Sequence, residues 1–320
     1  MATSLTREHW PAKMNLPKIR LDRALTTSVF HPLERAGLAR GSVRLPILMY
    51  HSLSVNSEKD VAAYYKTNTD PLIFRQQMRQ LAAEGFKTMD LMQVIARLQN
   101  DRPFAEKTIV ITFDDGFRDF YTHGFPILKE HGFDATVFLP TAFIGNDRRS
   151  FKNIECLTWP EVRELRKAGV GFGSHTVNHP QLKDLPRKEI ERELVESKVE
   201  IEQQTGEPMS AFCYPYAFPQ ENKSFARDFR ELLIQSGYAG CVTTELGRVR
   251  PGDDPYRLKR LPANSLDDPA LFRAKLEGGY DWLAVPQALL KKFKRHIRGA
   301  KEPHPIAVNR TPRLQLKSGT

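Results

Sequence analysis

Two adjacent carboxylates, Asp114 and Asp115, stand in the segment Thr112-Phe113-Asp114-Asp115-Gly116, directly after an apolar run. Like charges in a poorly solvated place raise one pKa unless something positive lies near, and a metal ion would supply that charge. A helix N-cap or an Asp-Gly turn is the plainer use of the same residues. Further along, Ser174-His175-Thr176-Val177-Asn178-His179-Pro180 carries two imidazoles four positions apart. Placed on one side of a helical turn, they can share one ion. Either motif alone is often incidental. Both, however, follow candidate strands, at the edge of a parallel sheet where ligands usually bind. Two His and one carboxylate leave a coordination position for water, as in catalytic zinc sites, although non-haem Fe(II) accepts the same set. The second carboxylate favours hydrolysis: with Asp115 on the ion, Asp114 is free to take a proton from a bound water whose pKa falls to about 7.

Two further segments end candidate strands. Leu45-Pro46-Ile47-Leu48-Met49-Tyr50-His51-Ser52-Leu53 closes on Tyr50-His51. A leaving amine needs a general acid, and His is the side chain best matched to neutral pH. A hydrogen-bonded structural His is the simpler reading of that position. Phe212-Cys213-Tyr214-Pro215-Tyr216-Ala217 offers aromatics and a proline that could wall a groove for a sugar ring, or merely turn the chain after a buried strand.

These segments need a scaffold, and the 320 residues supply one. From residue 45 to about 261, apolar runs at 45–50, 108–113, 135–139, 170–173, 211–214, 240–243 and 257–261 alternate with helical stretches, the pattern of βαβ units on a parallel sheet or barrel. Asp70-Pro71 opens a helix with Phe74, Met78 and Leu81 on one face, stopped by Gly85. Thr158 with Glu161 predicts a capping box for a helix ending before Gly169. Within 186–204, Ile190, Leu194 and Ile201 form the apolar stripe of a highly charged helix.

Charge separates the ends from the middle. Of the formal +10, residues 1–45 hold +5 and residues 286–320 hold +8, leaving −3 between them. An acidic middle argues against a nucleic-acid-binding core. The cations Lys291, Lys292, Lys294, Arg295, Arg298 and Lys301 read as a solvated tail that can also meet an anionic membrane face. Cys156, Cys213 and Cys241 form no C-x-x-C and fit free thiols in a reducing compartment. The first 30 residues lack an apolar signal core, and no run approaches the roughly 20 residues of a bilayer span. A cytoplasmic location is therefore expected, peripheral to the inner membrane face if the tail docks there. The expected organisation is a basic N-terminal extension at 1–42, a barrel domain at 43–285 and a loosely ordered basic tail at 286–320.

Taken together and in order, Thr112–Gly116, Ser174–Pro180 and Tyr214–Ala217 resemble the signature motifs of the polysaccharide deacetylases, carbohydrate esterases with a NodB-type homology domain, over about residues 43–262. The resemblance implies an α/β fold, a distorted (β/α)7 barrel. It also implies a divalent metal, usually Zn2+, with Co2+, Ni2+ or Fe2+ as alternatives. The implied partner is an acetylated amino-sugar polysaccharide or a lipid-linked saccharide, not nucleic acid. Carried over by position, Asp114 is the general base, and Asp115, His175 and His179 are the metal ligands. Tyr50, Tyr214, Pro215 and Tyr216 are expected to bind substrate, with the Tyr216 peptide N–H holding the oxyanion. His296 and His304, in the basic tail, do not fit the usual place of the acid. The MYHSL segment instead resembles the circularly permuted branch typified by poly-N-acetylglucosamine deacetylases, which makes His51 the acid. One departure stands out: the family's base-pairing Arg is replaced by Cys213, with Arg257 or Arg260 as substitutes. A degraded glycan-binding barrel and an O-acetyl esterase are the competing readings.

Overall fold

The computed structural model describes residues 20–37, 43–55 and 66–289. The two chain ends, including the tail cations and His296 and His304, lie outside the described residues.

Seven parallel strands close into a barrel: β1 (Ile47–Tyr50), β2 (Thr108–Phe113), β3 (Thr136–Leu139), β4 (Gly171–Ser174), β5 (Ala211–Cys213), β6 (Gly240–Leu246) and β7 (Leu258–Pro262). They pair in chain order, and closure comes from β1, which lies between β2 (Leu48 opposite Ile111) and β7 (Leu48 opposite Leu261). All seven expected strands are present, 108–113 with unchanged boundaries and the others displaced by one to three residues. A two-residue strand, Lys87–Thr88, adds to the start of β2.

The helices are α1 (Pro71–Ala83), α2 (Leu91–Gln99), α3 (Phe125–Glu130), α4 (Trp159–Lys167), α5 (Arg187–Thr205), α6 (Lys223–Gln235) and α7 (Pro269–Glu277). Cap chemistry sets several of their starts. Asp70 accepts from the Leu72 amide, and Thr158 and Glu161 make both arms of the capping box. Phe74, Met78 and Leu81 of α1, and Ile190, Leu194 and Ile201 of α5, are all buried as their spacing predicts.

The two-residue period of a strand divides the core in two. One set of strand positions, including Leu48, Tyr50, Ile109, Ile111, Phe113, Val137, Leu139, Phe212 and Tyr214, packs under the helices. The alternate set, Ile47, Val110, Phe138, Ala211, Cys213, Val242 and Leu258, clusters inside the barrel, with Val94 and Ile95 of α2 in the same cluster. Gly173 leaves room for that filling: a Cβ there would come within 2.5 Å of the Phe138 ring. The inside positions turn polar toward the strand C-termini, through Thr112, Asp114 and Arg260. The barrel interior is therefore apolar at one end and ionisable at the other.

Part of the N-terminal extension is built into the body. The consecutive helical stretches Leu21–Leu25, Thr26–Phe30 and His31–Arg35 lie beside α7, where Phe30 stacks on Trp282 at 4.8 Å and His31 meets Glu277 at 2.6 Å. Helix continues through residues 284–289, past the expected domain end at 285. Among the described residues, no helix is long and apolar enough to cross a membrane.

Candidate metal centre

The site assembles from loops that leave the C-terminal ends of β1, β2, β4 and β5. Asp114 and Asp115 follow β2 directly, His51 follows β1 and His175 follows β4. Residues 175–180 are not helical, contrary to the expected helical turn. The two imidazoles converge instead because Thr176 and His179 adopt positive φ of 70° and 53°, which folds the loop back on itself. Asp115 (68°) and Tyr216 (57°) are also left-handed. Non-glycine residues reach that region at a conformational cost, and such strain concentrates at functional sites.

Asp115 Oδ1 lies 3.5 Å from His175 Nε2 and 3.3 Å from His179 Nε2, and the two nitrogens are 3.2 Å apart. Ligand bonds of 2.0–2.1 Å in tetrahedral geometry imply edges of about 3.3 Å, so the triangle matches one face of a zinc-like coordination sphere. Asp115 Oδ1 is buried with no hydrogen-bond donor, which leaves it free to act as a ligand. His175 Nδ1 meets the Cys213 carbonyl at 2.8 Å. A proton held on Nδ1 by that bond leaves the Nε2 lone pair facing the triangle. Burial drives the His179 pKa down to about 4, against the pull of Asp115, so this ring is neutral and able to ligate. Asp114, His175 and Cys213 also lie within reach of one another. That grouping fits a cation less well, because Asp114 is already engaged and burial keeps the Cys213 thiol protonated.

A scan of family models matches residues 101–238 to Polysaccharide deacetylase. The chain is 28% identical over 234 residues to a putative polysaccharide deacetylase of Bacillus subtilis, covering 73% of this chain and 76% of the relative. It is 26% identical over 216 residues to the poly-β-1,6-N-acetyl-D-glucosamine N-deacetylase of Staphylococcus epidermidis, covering 65% and 71%. A Streptococcus pyogenes deacetylase solved with acetate superposes with a TM-score of 0.64 at 26% identity, over 74% of this chain and 99% of the other. Residues 101–238 thus match the polysaccharide deacetylase family model, and the relatives that align with the chain over a longer stretch bear the same name.

The arginine that the resemblance leads one to expect at position 213 arrives from another strand. Arg260 on β7 is fully buried and forks onto Asp114, with Nη1 to Oδ1 at 2.7 Å and Nη2 to Oδ2 at 2.8 Å. It also donates to the Cys213 sulfur at 3.2 Å, the Thr112 hydroxyl at 3.1 Å and the Thr243 carbonyl at 3.0 Å. A cysteine on β5 thus leaves the space that the β7 guanidinium fills. Arg257, the other substitute considered, pairs with Glu245 at 2.8 Å. Burial would raise the Asp114 pKa, but the guanidinium brings it down to about 2. His51 Nε2 stands 3.7 Å from Asp114 Oδ2 with 17% of its side chain exposed. Burial lowers the His51 pKa despite that neighbour, so the ring is chiefly neutral at pH 7.

Of the expected sugar contacts, Tyr216 is 46% exposed, with its ring 4.6 Å from His179. Tyr50 and Tyr214 do not line the cleft. Both occupy the strand parity that faces the helices, with 0% and 2% exposure. Tyr50 donates to Gln77 at 2.7 Å, and Tyr214 packs edge-on against Phe218 and Phe229. Pro215 is buried beside them.

Glu193 of α5 is a residue that sequence reasoning missed. Its Oε2 accepts the Val177 and Asn178 amides at 2.8 and 2.9 Å, and its Oε1 accepts the Asn178 side chain at 2.7 Å. The signal was its place on the buried Ile190-Leu194-Ile201 stripe, where a carboxylate needs partners. Glu193→Gln should weaken zinc affinity by about 10–100-fold, the usual range for groups that orient ligands. Chelator competition measures this, and unchanged affinity would reduce Glu193 to a helix-packing role.

Proposed function

We propose that this chain is a metal-dependent hydrolase that removes N-acetyl groups from a hexosamine-containing polysaccharide or its precursor. The observation that carries the proposal is the triangle of Asp115, His175 and His179, with Asp114 ionised beside it and held off the triangle by Arg260. The similarity to a poly-N-acetylglucosamine N-deacetylase supports the amide substrate.

Asp115, His175 and His179 would hold the ion. A divalent cation bound there, Zn2+ or its borderline relatives Co2+, Ni2+ and Fe2+, lowers the pKa of water to about 7 and polarises the acyl oxygen. Asp114 takes the proton of the attacking water at a carboxylate oxygen that Arg260 keeps oriented. The Tyr216 peptide N–H donates to the developing oxyanion, and the Tyr216 ring borders the sugar. The proton moves on to His51 Nε2, which stands 3.7 Å from Asp114 Oδ2, is neutral at rest and donates it to the leaving nitrogen. Acetate and a free amine result.

The test is acetate release from N-acetylglucosamine oligomers, from lipid-linked saccharides and from acetylated xylan. Release from the oligomers should stop with chelator and return with Zn2+ or Co2+. Release from xylan alone would favour the O-acetyl esterase, and release that chelator does not affect would overturn the metal reading. Association with an anionic membrane through residues 286–320 belongs to the same proposal. Deleting those residues should leave turnover of soluble oligomers intact.

A further inference from the structure

We propose that Lys152 competes with the divalent cation for Asp115, so that this ammonium sets how tightly the chain holds its metal. The inference rests on the metal reading above. The short antiparallel hairpin Ser150–Phe151 with Ile154–Glu155 crosses the mouth of the site. Its two-residue tip, Lys152-Asn153, has positive φ at both positions, 52° and 63°. That is the backbone of a type I′ turn, which favours Asn-Gly, and a lysine is an uncommon occupant. Packing fixes the arm: the Phe151 ring lies 5.0 Å from His179 and 4.4 Å from Phe143. The tip therefore delivers Lys152 Nζ to 3.1 Å from Asp115 Oδ2, while Oδ1 of the same carboxylate faces the imidazoles.

One carboxylate cannot serve both cations at full strength. Asp115 contributes a single negative charge, so a divalent ion on Oδ1 leaves the centre net positive, and the ammonium a few ångströms away is then repelled. Asp115 is 2% exposed and cannot move aside, whereas the Lys152 side chain is 46% exposed and can swing out over Phe151 or Tyr216, with Nζ already 4.5 and 5.8 Å from those ring centroids. Withdrawal of the ammonium is thus coupled to metal entry. Because Lys152 is half in solvent, screening keeps the coupling modest.

Chelator competition with Zn2+ on the full chain tests this. Lys152→Met should bind zinc on the order of tenfold more tightly than the wild type, with Lys152→Arg close to the wild type and the gap narrowing in 1 M salt. Stripped of metal, Lys152→Met should melt below the wild type, because Asp115 then loses its partner, whereas the zinc-saturated proteins should not differ in that direction. Equal or weaker zinc binding by Lys152→Met, with the wild type binding normally, overturns the proposal alone. If wild type, Lys152→Met and Lys152→Arg all fail to bind zinc, the metal reading falls and takes this inference with it.

Discussion

Replacing Asp114 by Asn should slow acetate release by about 10²–10⁴-fold, the range that a positioned proton acceptor contributes. Zinc stoichiometry should stay unchanged, because the ligand triangle is built on Asp115, His175 and His179 and the two carboxylates face different partners. An amide keeps the shape of the carboxylate and one acceptor oxygen but cannot take a proton at neutral pH. It also leaves the buried Arg260 with half of its fork, so the variant should melt at a lower temperature than the wild type. Rates are therefore compared well below both transitions, with elemental analysis of the same samples. Full turnover would remove Asp114 from the proton-accepting role, and loss of zinc would make it a ligand.

The sequence reading located the barrel because burial on both faces makes a parallel strand an apolar run, and all seven runs became strands. Asp115 and His175 stand out as candidates because they lie within two residues of such strand ends, and His179 because it shares a loop with His175. What stayed hidden was set by parity and by tertiary approach. Counting from Leu48 and Phe212, which pack under the helices, Tyr50 and Tyr214 share their face, so the period-two rule applied inside each strand would have removed both from the substrate list. The same rule puts Arg260 on the inside, two residues after Leu258, and would have favoured it over Arg257. Its partner Asp114 is 146 positions earlier, a distance that no local pattern spans. Lys152 was beyond reach for another reason, and Glu193 showed only as a carboxylate on the buried stripe of α5, without its partners. Each acts through a loop whose path depends on left-handed residues, Lys152 and Asn153 in one and Thr176 and His179 in the other, which carry no glycine to announce them.

Arg260→Met carries the largest expected cost to stability. The guanidinium and Asp114 are both buried, and removing one partner of such a pair typically destabilises by about 3–5 kcal/mol, because the other charge is left without compensation. The pH dependence identifies the cause. In the wild type the folded pKa of Asp114, about 2, lies below the ordinary 3.8. The pair therefore contributes roughly 2 kcal/mol at pH values above the unfolded pKa, and this is lost as pH falls through the folded one. Without Arg260, burial is the largest influence left and pushes the folded pKa upward, so the sign reverses: the penalty is full at neutral pH and fades as pH falls toward 4. Urea unfolding of both proteins should show a stability gap that is widest at pH 7 and narrower at pH 4. The double variant Asp114→Asn, Arg260→Met should lose less than the sum of the single changes, because neither charge is stranded. A gap independent of pH, or strict additivity, would mean that Arg260 acts through packing against Cys213 and Thr243, and that the ionisation of Asp114 is set by something other than this ion pair.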